Sequence, residues 1–248
     1  MSMRLDVLLT PGELAPGDIA DRTVVVLDVL RASTSVVEAL AAGARAVYPV
    51  ASIEEALRLA NTLGRDEVLL AGERKALRIE GFDLGNSPSE FTRGKVKGKV
   101  VVMSTTNGTG ALNAAAGAER VLVGAWANFS ALVRELADSR AEPVLLCAGR
   151  DRHFALEDAV CAGQMAEAVM KALPDDSWEM NDGALAAMAL AREFPDPAAL
   201  FSQTAAGRQI VEAALAADLK LCARRDRHRI VPVLQDRQLT LAARNGTA

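Results

Sequence analysis

With 248 residues, half of them hydrophobic and 24% charged, the chain is long enough to enclose a sizeable core. Its net charge of −4 gives no general attraction to nucleic acid or to an anionic membrane. No apolar run reaches the roughly 18 residues of a bilayer span, and MSMRLDVLLTPGE lacks the apolar centre of a signal peptide, so a cytoplasmic protein is expected.

Strand-like runs appear at residues 4–10, 23–30, 45–50, 67–71, 99–103, 120–124, 143–149 and, late in the chain, 229–234. Helix-like segments lie between them: STSVVEALAAG, SIEEALRLANTLG, GTGALNAAAG and NFSALVRELADS. Ser52 and Glu55 have capping-box spacing. After residue 155 helical sequence dominates, in ALEDAVCAGQMAEAVMKAL and GRQIVEAALAADLKLCA. Strands alternating with helices predict an α/β fold: a mostly parallel central sheet with helices on both faces and a more helical C-terminal part. The chain reads as one unit over 1–248, with a division into two lobes near residue 140 as the alternative. Three cysteines without CxxC spacing and only two histidines argue against a disulfide framework and against thiol or imidazole metal sites.

Ligands of open parallel sheets gather where strands end, so the residues after each strand carry the functional reading. Asp28 interrupts the apolar run 23–30, and Arg31, Ser33, Thr34 and Ser35 follow at a helix start, where free N–H groups attract anions. One hydroxyl there is explained as an ordinary N-cap. Asp28 and Arg31 need either a function or a structural ion pair. After 67–71 comes GERKALRIEGFDLGNSPSEF, with Glu73, Arg74 and Asp83. Its SPSE part fits a helix start, and Gly81, Gly85 and Asn86 fit turns. After 99–103, Ser104, Thr105, Thr106, Asn107 and Gly108 form a hydroxyl- and glycine-rich stretch suited to an oxyanion. After 143–149 come Arg150 and Arg152, then Glu157 and Asp158, adjacent acids of which at most one should face the site directly. Carboxylates without histidine or thiol partners suit Mg²⁺. With arginines and a backbone cradle, they point to a Mg²⁺-dependent enzyme acting on the phosphoryl group of a small anionic metabolite.

The motifs DVLRASTS (28–35), AGER (71–74), GFDLGNSP (81–88), STTNGT (104–109) and CAGR…EDAVCAG (147–163) together resemble the 2-phosphosulfolactate phosphatase, or ComB-like, family. DGALAAMAL (182–190) and the segment from SQTAAG (202–207) to the late strand extend the likeness. The resemblance implies Mg²⁺-dependent hydrolysis of (2R)-phospho-3-sulfolactate to 3-sulfolactate and phosphate, a step of coenzyme M biosynthesis. Asp28, Arg31, Asp83 and Asp158 are the expected catalytic residues, and Asp28, Glu73 and Asp83 the expected metal ligands. Ser33, Thr34, Arg74, Ser104 to Gly108 and Arg150 are expected to hold the substrate. The nucleophile is either water or Asp28; the missing DxD pattern, with Leu30 in the second position, favours water. The rivals are a phosphatase of another acidic phosphoester, an isomerase or transferase, and a non-catalytic phosphoester-binding protein. A homo-oligomer stays open.

Overall fold

The computed structural model describes residues 2–241. The first half alternates strand and helix: β1 (Ser2–Leu8), β2 (Thr23–Leu27), α1 (Ala32–Ala41), β3 (Ala46–Pro49), α2 (Ile53–Leu63), β4 (Val68–Arg74), β5 (Leu77–Arg78), α3 (Arg93–Val96), β6 (Val100–Ser104) and α4 (Gly108–Ala114). The second half continues with β7 (Arg120–Gly124), α5 (Phe129–Asp138), β8 (Pro143–Cys147), α6 (Leu156–Ala172), β9 (Ser177–Met180), α7 (Asp182–Glu193), α8 (Pro197–Gln203), α9 (Ala205–Glu212) and α10 (Ala216–Cys222). A hairpin of β10 (Pro232–Gln235) and β11 (Gln238–Leu241) closes it.

All these strands join one sheet in the order β5-β4-β6-β3-β11-β10-β7-β2-β8-β1-β9. The expected α/β class holds, and the continuous apolar strands are explained by burial on both faces. Along β2, Val24 and Val26 enter a core with Val36 and Leu40 of α1 and Leu112 of α4. Val25 and Leu27 enter the opposite core, with Leu132 of α5 and Met165 of α6. A smaller core lies between α2 and the β4–β6 edge. Each Val or Leu so buried contributes about 1.5–3 kcal/mol. Ser52 caps α2 as its spacing predicts, accepting the Glu55 N–H at 3.1 Å, and the Glu55 carboxylate accepts the Ala51 N–H at 3.0 Å.

The sheet departs from the expected pattern at its centre. The late strand is half of an antiparallel hairpin, inserted between the parallel strands β3 and β7. The alternating Gln238–Leu241 is its other half. β9 and the short β5 were likewise not foreseen. The run 23–30 stops pairing at Leu27, so Asp28 stands just beyond the strand, while β4 extends to Arg74 and carries Glu73 within the sheet. SPSE forms a single 3₁₀ turn, and the Ser87 side chain does not cap it.

The inserted hairpin also shapes the molecule. β6 and β2 are separated by β3, β11, β10 and β7, roughly 24 Å in a flat sheet at the usual strand spacing. Yet a Cβ on Gly108, just after β6, would lie 2.7 Å from Asp Oδ2 of residue 28, just after β2. The sheet therefore coils until the carboxyl ends of β2, β4, β6 and β8 meet.

Candidate active site

A cavity of about 420 Å³ opens where these strand ends meet. Asp28, Leu30 and Arg31 line it from the exit of β2, Glu73 to Ala76 from β4 and its turn, and Thr106 and Asn107 from the exit of β6. Gly149, Arg150 and Asp151 follow from β8, Glu157 and Asp158 from α6, and Ala206, Gln209 and Ile210 from α9, with Asn86 beneath.

Asp28 is 7% exposed. Its Oδ1 accepts the Ala32 N–H at 3.1 Å, and among the described residues no donor reaches Oδ2. Burial pushes this carboxyl up to about 7; the Ala32 N–H opposes the rise, the charges of Glu73 and Glu157 add to it, and Arg31 opposes it. Gly108 belongs here for a steric reason: a Cβ would meet both the Asp28 carboxylate and the Ala32 methyl inside 3 Å. Glu73, also buried, accepts the Ala76 N–H at 2.8 Å through one oxygen and the Thr106 N–H at 2.8 Å through the other. It thereby ties the turn after β4 to the exit of β6.

Glu157 and Asp158 both line the cavity; helix spacing had suggested that at most one would. Asp158 clamps two strand exits, accepting the Val29 N–H at 2.9 Å and the Gly149 N–H at 3.1 Å. Burial drives its carboxyl well above the ordinary range, and the charges of Asp28 and Glu157 add to that against the two N–H donors. Glu157 is raised as well, chiefly by burial, against its own N–H at the helix start, the Thr204 hydroxyl and the Arg150 charge.

Arg31 is 3% exposed and forms a buried ion pair with Asp218 of α10 at 2.8 Å, while its other terminal nitrogen donates to the Ala76 carbonyl at 2.8 Å. Asp218 also accepts the Ser87 hydroxyl at 2.6 Å. Arg74 lies along β6, donating to the Ser104 hydroxyl at 2.9 Å and to the Glu73 carbonyl at 2.7 Å. Arg150 donates to Gln209 at 3.3 Å.

Several expected site residues are placed elsewhere. Asp83 does not line the cavity. It accepts the Leu70 N–H at 2.8 Å and pairs with Arg65 at 2.9 Å, so its place in the structure gives the expected catalytic and metal roles no support. Ser33 accepts the Asp28 N–H and donates to the Val26 carbonyl, and Thr34 donates to the Val29 carbonyl. Ser104 holds Arg74, and Thr105 caps the Thr109 N–H. Three of these hydroxyls build turns, that of Ser104 anchors Arg74, and none of the four lines the cavity. Of the STTNGT stretch, Thr106 and Asn107 reach it, and the Asn107 carbonyl oxygen is already engaged by the Asp151 N–H at 2.9 Å.

Sequence reading missed Asn86, Lys75, Gln209 and Asp218. Asn86 was explained as a turn residue, yet its Oδ1 is buried without a hydrogen-bond partner at the cavity. Asp218 looked like one polar position of an Ala-rich helix; a lone acid on an otherwise apolar helix face was the available signal.

The donor set is all oxygen. Among the described residues no three His, Cys, Asp or Glu side chains form a ready cation cage. The donor chemistry is nevertheless of the kind a hard divalent cation takes: the unbonded Asp28 oxygen lies among the charges of Glu73, Glu157 and Asp158.

Fold and site thus define an α/β protein with an acidic cavity at the strand ends, rimmed by cationic side chains. A profile of the 2-phosphosulpholactate phosphatase family matches residues 8–237. Relatives carry the name probable 2-phosphosulfolactate phosphatase: one from Symbiobacterium thermophilum is 41% identical, over 90% of this chain and 96% of its own length. One from Caldanaerobacter subterraneus subsp. tengcongensis is 38% identical, over 94% and 96%, and one from Carboxydothermus hydrogenoformans is 37% identical, over 93% and 92%. The chain belongs to the 2-phosphosulpholactate phosphatase family.

Proposed function

We propose that this protein hydrolyses (2R)-phospho-3-sulfolactate to 3-sulfolactate and phosphate with the help of Mg²⁺. Family membership supports the reaction. The observation that carries the site is the Asp28 carboxylate: buried, free at one oxygen and surrounded by other acids at the meeting of four strand ends. A buried charge of this kind is costly and persists where it meets a cation or a reacting group.

Asp28 would hold Mg²⁺ through its free oxygen, with the negative charges of Glu73 and Glu157 nearby, and the ion would supply charge neutralisation at the phosphate. The chain's own groups do the rest. The Thr106 hydroxyl offers a hydrogen bond to a substrate oxygen, and the unpartnered Asn86 Oδ1 can accept one from a bound water. Arg74 and Arg150, whose flat guanidinium groups match a carboxylate, orient the acid. Asp158 holds the exits of β2 and β8 together, so the Asp28 carboxylate keeps its aim.

Hydrolysis by a small-molecule enzyme also agrees with a cytoplasmic location. The free, buried Cys147, Cys161 and Cys222 suit a reducing compartment, and no described helix is long and apolar enough to cross a membrane.

The test is phosphate release from phosphosulfolactate with Mg²⁺ and with EDTA, beside the Asp28→Asn variant. Mg²⁺-dependent release that the variant loses by about a thousandfold or more is expected for a group of this role. No release by the wild-type protein would overturn the reading.

A further inference from the structure

Four cationic side chains line the cavity: Arg31, Arg74, Lys75 and Arg150. Three are already engaged. Arg31 is neutralised by Asp218, Arg74 is bonded to Ser104 and the Glu73 carbonyl, and Arg150 is bonded to Gln209 with Asp151 at 4.0 Å. Lys75 alone has no hydrogen bond or ion pair among the described residues, and it stands at the exposed rim.

A solvated lysine on a turn is ordinary. The backbone beneath this one is not. Lys75 and Ala76 are both left-handed, with φ of 53° and 67°, in the two-residue turn that joins Arg74 to Leu77 of the β4–β5 hairpin. Such turns favour Asn or Asp followed by Gly. Among the described residues, two other turns have consecutive left-handed non-glycine residues, Asp151–Arg152 and Asp236–Arg237. Both place aspartate first, whose short side chain tolerates the conformation. Of these three turns, the one at 75 places a long cation first.

The surroundings hold this turn in place. Glu73 accepts the Ala76 N–H, and Arg31 donates to the Ala76 carbonyl. Both anchors belong to the cavity, so the site itself fixes the backbone from which Lys75 projects. Strained backbone that its neighbours over-determine collects at ligand clamps.

We infer that Lys75 is a specificity residue of this site, binding the substrate's third anionic group, a tetrahedral sulfonate, at the cavity rim. The inference rests on the reaction proposed above. The division of labour is chemical. A guanidinium fork matches the planar carboxylate closely, whereas a tetrahedral sulfonate demands no plane and needs only a positive charge with hydrogen-bond donors at the rim, which an ammonium supplies and a guanidinium can replace. A sulfonate stays ionised throughout the working pH range, so it can sit in a wet rim position where the other two anions lie deeper.

The experiment compares the wild-type protein with Lys75→Gly and Lys75→Arg on two esters, phosphosulfolactate and 2-phospholactate, which lacks the sulfonate. The ratio of the two kcat/KM values should fall at least tenfold in Lys75→Gly, mostly through KM for the sulfonated ester, and stay within about threefold of wild type in Lys75→Arg. The thermal midpoint of Lys75→Gly should equal or exceed that of wild type, because glycine accepts the left-handed conformation. An unchanged ratio in Lys75→Gly, or an equal fall in both variants, overturns the inference while the hydrolytic reading stands. Should the wild-type protein release phosphate from neither ester, that reading falls. The subsite is then decided by calorimetry: wild type must bind 3-sulfolactate more tightly than lactate, and Lys75→Gly must lose the difference.

Discussion

Two buried aspartates stand on either side of Arg31 and are treated in opposite ways by the fold. Asp218, on α10, is saturated: one oxygen takes the Arg31 guanidinium and the other the Ser87 hydroxyl. Asp28, at the exit of β2, takes one backbone N–H and faces further acids. Burial is alike, 2% and 7% exposed; satisfaction is not. A paired buried carboxylate fixes elements relative to one another, here α10, the 86–87 loop and the exit of β2. An unpaired one stores unfavourable energy that a ligand can release.

The comparison is broken most severely by neutralising each acid in turn. Asp28→Asn should abolish phosphate release and still raise the stability of the metal-free protein near pH 8, since it removes a buried charge among like charges. The linkage behind this has a definite sign. The folded carboxyl titrates near 7 and the unfolded one near 3.8, so the folded state holds its proton longer and stability falls as pH rises through that window. The gain in the variant is on the order of 2–4 kcal/mol at most, read from denaturant or thermal unfolding with EDTA. Added Mg²⁺ should stabilise wild type and leave Asp28→Asn nearly unmoved.

Asp218→Ala should do the reverse to stability. It leaves Arg31 buried and unpaired, and breaking such a pair costs about 3–5 kcal/mol. Replacing both partners, Arg31→Met with Asp218→Leu, should recover most of that loss without recovering activity, because Arg31 lines the cavity. Recovery of activity in the double variant would show that the pair is scaffold alone.

A third acid sharpens the contrast on the acidic side. Glu38 of α1 is buried beside Arg227 at 2.8 Å and His228 at 3.0 Å. Burial alone would raise its carboxyl, but the hydrogen bonds and charges of His228 and Arg227 outweigh it and the net shift is downward. Stability from Glu38 is therefore present above the ordinary carboxyl value, 4.5, and is lost as pH falls through the lower folded value. Wild type and Glu38→Gln should differ in thermal midpoint at pH 6 and converge towards pH 3. Asp28 and Glu38 thus tilt the pH profile in opposite directions.

How far this was legible in the sequence depends on the distance over which each partner is recruited. The strands, the helices on both faces and the Ser52 cap follow from local periodicity and spacing. The meeting of four strand ends followed from the α/β pattern, and Asp28, Arg31, Glu73, Arg74, Thr106, Asn107, Arg150 and Asp158 do line one cavity. What escaped is nonlocal. The hairpin 232–241 had to be seen as an insertion that coils the sheet, and no local pattern states where a hairpin inserts. Hydroxyl clusters look the same whether they face a ligand or the protein itself; Ser33, Thr34 and Thr105 took carbonyls and N–H groups of their own turns, and Ser104 took the Arg74 guanidinium. Asp218 reaches Arg31 across 187 positions, and Lys75 differs from any surface lysine only through the φ of its turn.

Asp83 gives the smallest expected effect and the cleanest check on the rule that saturation, not burial or motif membership, separates scaffold from site. It lies in GFDLGNSP, among the residues by which the family is recognised, and its side chain is 31% exposed. Its oxygens are occupied by the Arg65 guanidinium and the Leu70 N–H, which staple the loop to the start of β4. Asp83→Asn keeps an acceptor for the Leu70 N–H and gives up the charge opposite a 45% exposed Arg65. An exposed pair of this kind is worth about 0.2–1 kcal/mol, so unfolding should shift by no more than that, and kcat and KM for phosphosulfolactate should stay within about twofold of wild type. A loss of a hundredfold or more would return Asp83 to the chemistry and require the loop to swing inward when substrate binds.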